Sequence, residues 1–229
     1  TPPHPILSGL VGSEMCIRDS CQTLMTKKQS SDMSLKGTLS PLASVERAAY
    51  ELRSGRPVLI IDGTEEATLV LATEMLTEER LNDLTDVSSG KLPYVVLTHH
   101  RADTLIIRLY TPDVVRIPSP DWLSAEEVRQ LADPQYDLVA PLRGPFAAER
   151  DEVPVSVASS VKLAKVGRVL PSTVAVSLPA LSVGTQPGIV SVSADDITGY
   201  DTRAALGLKR VTAADVPLIG AENARIVAF

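Results

Sequence analysis

Short apolar runs alternate with amphipathic stretches through the middle of the chain, from about residue 40 to residue 200. Continuous apolar runs of strand length are typical of strands that are buried on both faces. Such runs occur at residues 57–62, 67–74, 93–99, 173–178 and 188–193. Because helical patterns separate several of these runs, the sequence predicts an α/β domain.

The predicted helices begin at residues whose side chains can accept a hydrogen bond from the first turn. Ser44 precedes a stretch in which the apolar residues recur at helical spacing, and Gly55 can end that helix. The capping-box spacing of Ser124 and Glu127 predicts another helix start. Further helices are predicted after Thr77, over residues 157–170 and after Ser193.

The two ends of the chain do not share this pattern. Residues 1–40 show no sustained period, which predicts either a disordered native tail or a non-native leader. The string VGSEMCIRDS within them resembles the translation of a sequencing adapter. Residues 208–229 read as a linker followed by one strand-like stretch, ENARIVAF, as expected for a truncated domain. The predicted organisation is therefore a leader at 1–40, a domain at 41–207 and a partial domain at 208–229.

Composition excludes several classes of protein. A net charge of -6 for 229 residues argues against a nucleic-acid-binding protein. No apolar run approaches the roughly 20 residues of a membrane span, so a membrane protein is not expected. The 2 cysteines, Cys16 and Cys21, both lie near the start, so the body has no disulfide framework or cysteine zinc site. These features favour a soluble protein in the reducing cytoplasm.

Histidine is the usual acid-base residue and metal ligand near neutral pH, and the body contains two of them. His99 and His100 are adjacent at the end of a predicted strand. Neighbouring strand residues point to opposite faces, so we do not expect both to bind one metal ion. An ordinary surface pair is the favoured interpretation.

The acidic turn from Asp62 to Glu66 is the most suggestive local feature. Carboxylates at the carboxyl end of a strand in an α/β sheet can bind Mg²⁺ through oxygen. A plain β-turn explains the same residues and is favoured on local pattern alone, because Asp-Gly is a strong turn signal. Arg143, in APLRGP, has a guanidinium that can clamp a phosphate, and a solvated loop arginine is the equal alternative.

The order of these segments resembles a known family. The stretches VERAAYELRSGRPVLIID, ATLVLATEMLTEERLNDL and PYVVLTHHRADTL are similar to the opening of 3,4-dihydroxy-2-butanone 4-phosphate synthase. The resemblance continues through DLVAPLRG, VASSVKLAKVGRVLP, TVAVSL and IVSVSADDITGY. The tail VPLIGAENARIVAF resembles the junction with, and first strand of, GTP cyclohydrolase II. The resemblance implies a single mixed sheet surrounded by helices, classed as α/β (α+β).

The sequence departs from this family where the family binds its metal ion. The synthase uses Mg²⁺ and an acidic loop, DDEDRENEGD, to convert ribulose 5-phosphate to dihydroxybutanone phosphate and formate. Here Glu66 matches one glutamate of that loop, Thr64 replaces the other, and Thr68 replaces the closing aspartate. The family's histidine ligand, in GGHTEA, falls within residues 151–156, which contain no histidine.

Two further substrate segments of the family, Tyr-Gly-Thr and Thr-Gly-Val-Ser-Ala-Asp-Arg, have no counterpart, whereas Arg143 matches the arginine of the family's Pro-Leu-Arg. We therefore expect a catalytically inactive, synthase-like scaffold or dimerisation domain with no cofactor of its own. Asp62, Glu66 and Arg143 are its vestigial site candidates, and Glu66 is the weak metal candidate. Residual Mg²⁺-dependent activity or sugar-phosphate sensing is the alternative.

The resemblance also implies partners. A fused protein would carry a GTP cyclohydrolase II domain downstream, and in that family the zinc-binding cysteines belong to this second domain. No cysteine follows Cys21 here, so the zinc site is expected in the downstream domain. A homodimer is expected, and nucleic-acid and membrane partners are not. The parent protein would act in riboflavin biosynthesis.

Overall fold

The computed structural model describes residues 39–88, 91–118, 124–139, 144–179 and 188–229. Its centre is a six-stranded sheet in the order β4-β3-β5-β2-β1-β6. The strands are β1 Val58–Ile61, β2 Glu66–Ala72, β3 Tyr94–Thr98, β4 Val114–Pro118, β5 Ser172–Pro179 and β6 Val190–Ser193. Only β1 and β6 pair in parallel, and the other neighbours are antiparallel. The predicted mixed sheet with surrounding helices is confirmed.

Helices cover both faces of this sheet. They are α1 Pro41–Arg53, α2 Glu78–Val87, α3 His99–Thr104, α4 Ala125–Ala132, α5 Val155–Val166, α6 Ala194–Thr198 and α7 Tyr200–Gly207. Short 3₁₀ turns follow β2, at Thr73–Met75, and α4, at Pro134–Tyr136. Within the described ranges, none of these helices is both long and apolar enough to cross a bilayer.

The alternation of side chains along each strand produces two apolar cores. In β1, Val58 and Ile60 pack into a core with α1, α5 and α6, whereas Leu59 packs into a second core with α2, α3 and α4. A strand that is apolar on both faces fits such a three-layer arrangement, because neither face meets water. The continuous apolar run at residues 57–62 is therefore explained by burial of both faces of β1.

A small hairpin follows α7. Its strands, β7 Thr212–Asp215 and β8 Arg225–Ala228, form a separate two-stranded antiparallel sheet. Ile226 and Val227 are 59% and 37% exposed, so the hairpin contributes little to either core. The sequence predicted β8 but assigned residues 213–217 to a linker, and β7 occupies part of that linker.

Several local predictions need correction. The first helix begins earlier than expected, because the side chain of Ser40, not Ser44, accepts from the backbone of Ala43 and Pro41 occupies the first turn. Three elements, β4, α3 and α7, were not predicted from the sequence. Gly55 ends the first helix as predicted, with a positive φ of 72° that favours glycine.

Candidate functional site

A cleft opens where β1 ends, between the turn that leads to β2 and the first turn of α5. Its cavity has a volume of about 510 Å³. The turn joins two antiparallel strands, and Ile61 pairs with Ala67. The cleft therefore brings the acidic turn of residues 62–66 against residues 152–156, which lie far away in the sequence. Ser177 of β5 also lines it.

Asp62 connects the two sides of the cleft. Its Oδ1 accepts from the hydroxyl of Thr64 at 2.6 Å and from the Thr64 backbone at 3.2 Å. Its Oδ2 accepts from the backbone N–H of Ser156 in the first turn of α5, at 3.3 Å. A carboxylate satisfies an otherwise unpaired N–H group there and interacts well with the helix dipole. Asp62 thus acts as a remote cap for α5, whose own preceding residue, Pro154, has no side-chain hydrogen bond to offer.

The same contacts set the ionisation of Asp62. Partial burial raises the pKa of its carboxyl, but the hydrogen bonds from Thr64 and Ser156 outweigh that effect. The net pKa of Asp62 lies below its ordinary value. The carboxylate is therefore ionised at neutral pH and already has hydrogen-bond donors at both oxygens.

A pair of hydroxyl groups lies beneath Asp62. The hydroxyl of Thr68 donates to the hydroxyl of Ser156 at 2.9 Å, and both residues are only 2% exposed. Thr68 is the residue that replaces the family's closing aspartate in the resemblance. A carboxylate at this depth would need a cation or several donors, whereas a neutral hydroxyl is satisfied by one or two ordinary hydrogen-bond partners.

The remaining turn residues point to solvent. Glu66 begins β2 and is exposed, and its backbone N–H and carbonyl both contact the hydroxyl of Thr64, at 3.3 Å and 3.1 Å. Val155, the first residue of α5, is 54% exposed at the mouth of the cleft. It lies within the stretch that corresponds to the family's histidine motif, and its side chain cannot bind a metal ion.

Of the predicted site residues, the structure brings together Asp62 and Glu66. Arg143 lies outside the described residues. The expectation for His99 and His100 is wrong in its geometry, because β3 ends at Thr98 and both histidines belong to α3. The hydroxyl of Thr98 caps that helix by accepting from the backbone of Arg101 at 3.2 Å. Both histidines line one cavity, on the far side of α5's first turn from Asp62.

A polar cluster that was not predicted from the sequence lies beside the cleft. The hydroxyls of Tyr94 and Ser177 share a hydrogen bond of 3.3 Å, and burial raises the pKa of Tyr94. The Arg116 guanidinium lies 5.8 Å from the Tyr94 ring centre and pairs with Glu149 at 2.8 Å. Arg116 lies opposite Val96, two residues along β3 from Tyr94, so the two side chains are diagonal neighbours, and the cluster could not be found because β4 was not predicted.

These residues do not fit a magnesium site. Mg²⁺ prefers an octahedron of oxygen ligands that includes one or two carboxylates. Glu66 is the one freely exposed carboxylate at the family's ligand positions, since Asp62 caps α5 and Thr68 is neutral. Among the described residues, no group of three or more His, Cys, Asp or Glu side chains is placed to hold a metal ion.

Comparison with solved structures identifies the architecture. A two-domain 3,4-dihydroxy-2-butanone 4-phosphate synthase from A. baumannii superimposes with a TM-score of 0.56 at 15% identity, over 76% of this chain and 62% of that one. A 3,4-dihydroxy-2-butanone 4-phosphate synthase in complex with two magnesium ions gives 0.55 at 17% identity, over 72% and 99%. This chain has the synthase fold. The resemblance drawn from the sequence is confirmed at that level.

The proteins that are similar in sequence are named GTP cyclohydrolase-2, whereas the similar structures are synthases. The chain is 28% identical to GTP cyclohydrolase-2 of Azospirillum brasilense over 193 residues. This aligned region covers 82% of this chain and 50% of that protein. GTP cyclohydrolase-2 of Xylella fastidiosa strain Temecula1 is 30% identical over 177 residues, or 76% and 41% of the two chains. The chain spans about half the length of the curated relatives it matches. No protein-family model matches it.

Proposed function

We propose that this chain is the synthase-like N-terminal part of a GTP cyclohydrolase-2 protein of riboflavin biosynthesis, and that it acts as a scaffold or dimerisation module without catalysing the synthase reaction. The synthase fold supports the first half of this proposal, together with relatives named GTP cyclohydrolase-2 that are about twice as long. The composition of the cleft supports the second half.

The buried hydroxyl pair carries the proposal of inactivity. Thr68 and Ser156 occupy the floor of the cleft in a closed hydrogen bond, and Asp62 holds the first turn of α5. In an active enzyme, binding residues normally keep free lone pairs for the metal ion or substrate, at some cost in stability. Here the polar groups satisfy one another, which is what selection for folding alone would leave.

The synthase reaction also needs a base beside the proton that is removed from the sugar phosphate. A general base must lie within hydrogen-bond reach of that proton, and its pKa matters only after this geometry is met. Asp62 is held by Thr64 and Ser156, and its lowered pKa makes it a weaker base. Glu66 is the remaining carboxylate among the candidates that the structure describes.

Direct assay tests this proposal. The purified chain is incubated with ribulose 5-phosphate and Mg²⁺, and formate is measured against a blank without protein. We expect no formate above the blank, and its release would refute inactivity. The matched variant restores three ligand types with Thr64→Glu, Thr68→Asp and Val153→His, since Val153 stands where the family's motif has its histidine. We expect Mg²⁺ to raise the melting temperature of this variant and to leave that of the parent unchanged.

A sugar-phosphate sensor is the second candidate function. The cleft retains its volume and its acidic turn, so a ligand could enter it without being transformed. A sensor requires binding to stabilise the fold, because a ligand that binds only the native state raises its melting temperature. We expect no shift with ribulose 5-phosphate and Mg²⁺, and a saturable shift without formate would favour the sensor.

The remaining parts of the proposal concern partners. We propose a homodimer in the cytoplasm, a GTP cyclohydrolase II domain that follows this part, and a zinc site in that domain. The exposed hairpin of β7 and β8 supports a separate unit beyond α7. Light scattering on this 24.4 kDa chain should give twice its mass, and a monomer would contradict the dimerisation role.

A further inference from the structure

A second cavity runs along the exposed face of α5, with α3 and the start of β4 as its opposite wall. Its volume is about 860 Å³, within the range of pockets that take small molecules. Val153 and Val155 separate it from the cleft at Asp62 and line both. The synthase-like cleft and this cavity are therefore neighbours with different chemistry.

One end of the cavity is basic. Lys162 and Lys165 are three residues apart on α5 and so share a face, and both line the cavity. Lys162 donates to the carbonyl oxygen of Thr198 at 2.7 Å and pairs with Asp201 at 2.9 Å. Because Asp201 is 75% exposed, water screens this ion pair. The ammonium group of Lys162 therefore remains able to attract an anion.

The side-chain ammonium of Lys165 has no hydrogen bond or ion pair with any residue that the structure describes, and Lys165 is exposed. Asp113 is the one carboxylate that lines this cavity among the described residues, against two lysines. His99 uses Nδ1 to donate to the carbonyl oxygen of Thr111 at 3.0 Å, which fixes its ring on the wall opposite α5. The balance of charge favours an anionic ligand.

The other end of the cavity is apolar. Val155 and Ala158 continue the same face of α5 away from the lysines. A helix rises about 1.5 Å per residue, so Val155 and Lys165 lie roughly 15 Å apart along the axis. A ligand with a charged group and an organic body would match both ends.

We propose that this cavity binds a phosphorylated small molecule, with the phosphate at Lys162 and Lys165 and the organic body against Val155 and Ala158. Lysine ammonium groups are common phosphate ligands and act as point charges without strict geometry. The hydroxyl of Ser159 also lines the cavity, between the two ends, and shares a hydrogen bond of 3.5 Å with the hydroxyl of Thr198. Its phosphate end lies outside the synthase-like cleft, because Lys162 and Lys165 line this cavity alone, and the proposal does not require that cleft to be active.

Two probes and three variants test the site. Inorganic phosphate and phenyl phosphate are titrated into the whole chain by calorimetry, since neither is a substrate of the proposed ancestral reaction. We expect saturable binding of phenyl phosphate that is tighter than that of phosphate alone. Lys165→Glu should weaken it about tenfold or more, and Lys165→Gln should weaken it less. Lys209→Glu, an exposed lysine beyond α7, is the matched control and should bind like the parent.

Chemical labelling places the bound probe. Phenyl phosphate should protect Lys162 and Lys165 from acetylation by acetic anhydride, as measured by mass spectrometry, and should leave Lys209 equally reactive. Absence of saturable binding would overturn the proposal, as would equal weakening in Lys165→Glu and Lys209→Glu. Binding without protection of the two lysines would overturn it as well, because the probe would then lie elsewhere.

Discussion

Asp62 shows how a single carboxylate can hold a helix from a distant turn. It accepts from Thr64 and from the first turn of α5, which has no side-chain cap of its own. Loss of a capping side chain commonly costs about 1 kcal/mol. We therefore expect Asp62→Ala to lower the free energy of unfolding by about 1 kcal/mol at pH 7, measured by urea denaturation. Glu65→Ala, an exposed neighbour in the same turn, is the control and should change little.

The pH dependence of this effect has a definite sign. The pKa of Asp62 is lowered in the folded state from an ordinary value of 3.8. Its stabilising contribution is therefore complete above that ordinary value and is lost as the pH falls through the folded-state pKa. The stability gap between the parent and Asp62→Ala should narrow below about pH 4. A gap that stays constant down to pH 2 would show that charge plays no part.

The Thr68 and Ser156 hydroxyls offer a second test at the residue scale. Thr68→Val keeps the shape of the side chain but removes the donor to the buried hydroxyl of Ser156, at a cost of about 1–3 kcal/mol. Adding Ser156→Ala removes the hydroxyl that lost this donor. In a double-mutant cycle by urea denaturation, we expect the double variant to lose less stability than the two single variants added together. Strict additivity would show that the two hydroxyls do not interact.

Arg101 links two elements, α3 and the end of α4. Its guanidinium forms a two-pronged pair with Asp137, at 2.6 Å to each oxygen, and donates to the carbonyl oxygen of Leu131 at 2.9 Å. The side chain is only 9% exposed, so removing it takes the guanidinium donor away from the carbonyl oxygens of Leu131 and Asp133 and from the Asp137 carboxylate. We expect Arg101→Ala to cost about 3–5 kcal/mol in thermal or urea unfolding.

Arg101→Lys separates charge from geometry in the same experiment. Lysine keeps the positive charge but cannot form the planar fork, so it should recover only part of the loss. Arg53→Ala, on the exposed end of α1, is the control. If Arg101→Lys equals the parent in stability, the paired geometry contributes nothing.

The elements that could be predicted from the sequence are those whose pattern is fixed by burial on both sides. β1, β2, β3 and β5 are almost wholly buried, so their apolar runs were continuous and unmistakable. β4 was missed because Arg116 interrupts it and Pro118 ends it. α3 was missed because its first residues are two polar histidines that follow a strand without a turn signal.

The candidate site was only partly predictable for a related reason. The acidic turn of residues 62–66 is contiguous and could be found locally. Its partners Ser156 and Ser177 come from distant segments, and a serine carries no sequence signal of its role. Only the tertiary fold brings them to Asp62. The basic cavity was likewise invisible, because Lys162 and Lys165 read as the ordinary polar positions of a helix.

At the scale of the whole molecule, the stability of the six-stranded domain does not depend on the exposed hairpin of β7 and β8. The two cores draw their residues from β1–β6 and from the helices on both faces of that sheet, and every core residue lies before α7. By contrast, β8 is exposed along its whole length, and β7 and β8 pair with each other. An isolated two-stranded hairpin is marginally stable in water, so it adds little to the cooperative unit.

Removal of residues 208–229 tests this division. Because neither core loses a residue, we expect the shortened chain to unfold cooperatively with a melting temperature within about 2 °C of the parent by circular dichroism. Ile226→Asp in the full chain is the matched control, since it disturbs the hairpin without shortening the chain, and it should also leave the melting temperature unchanged. A large drop in either variant would mean that the hairpin stabilises the synthase-like fold, and the boundary after residue 207 would then have to move.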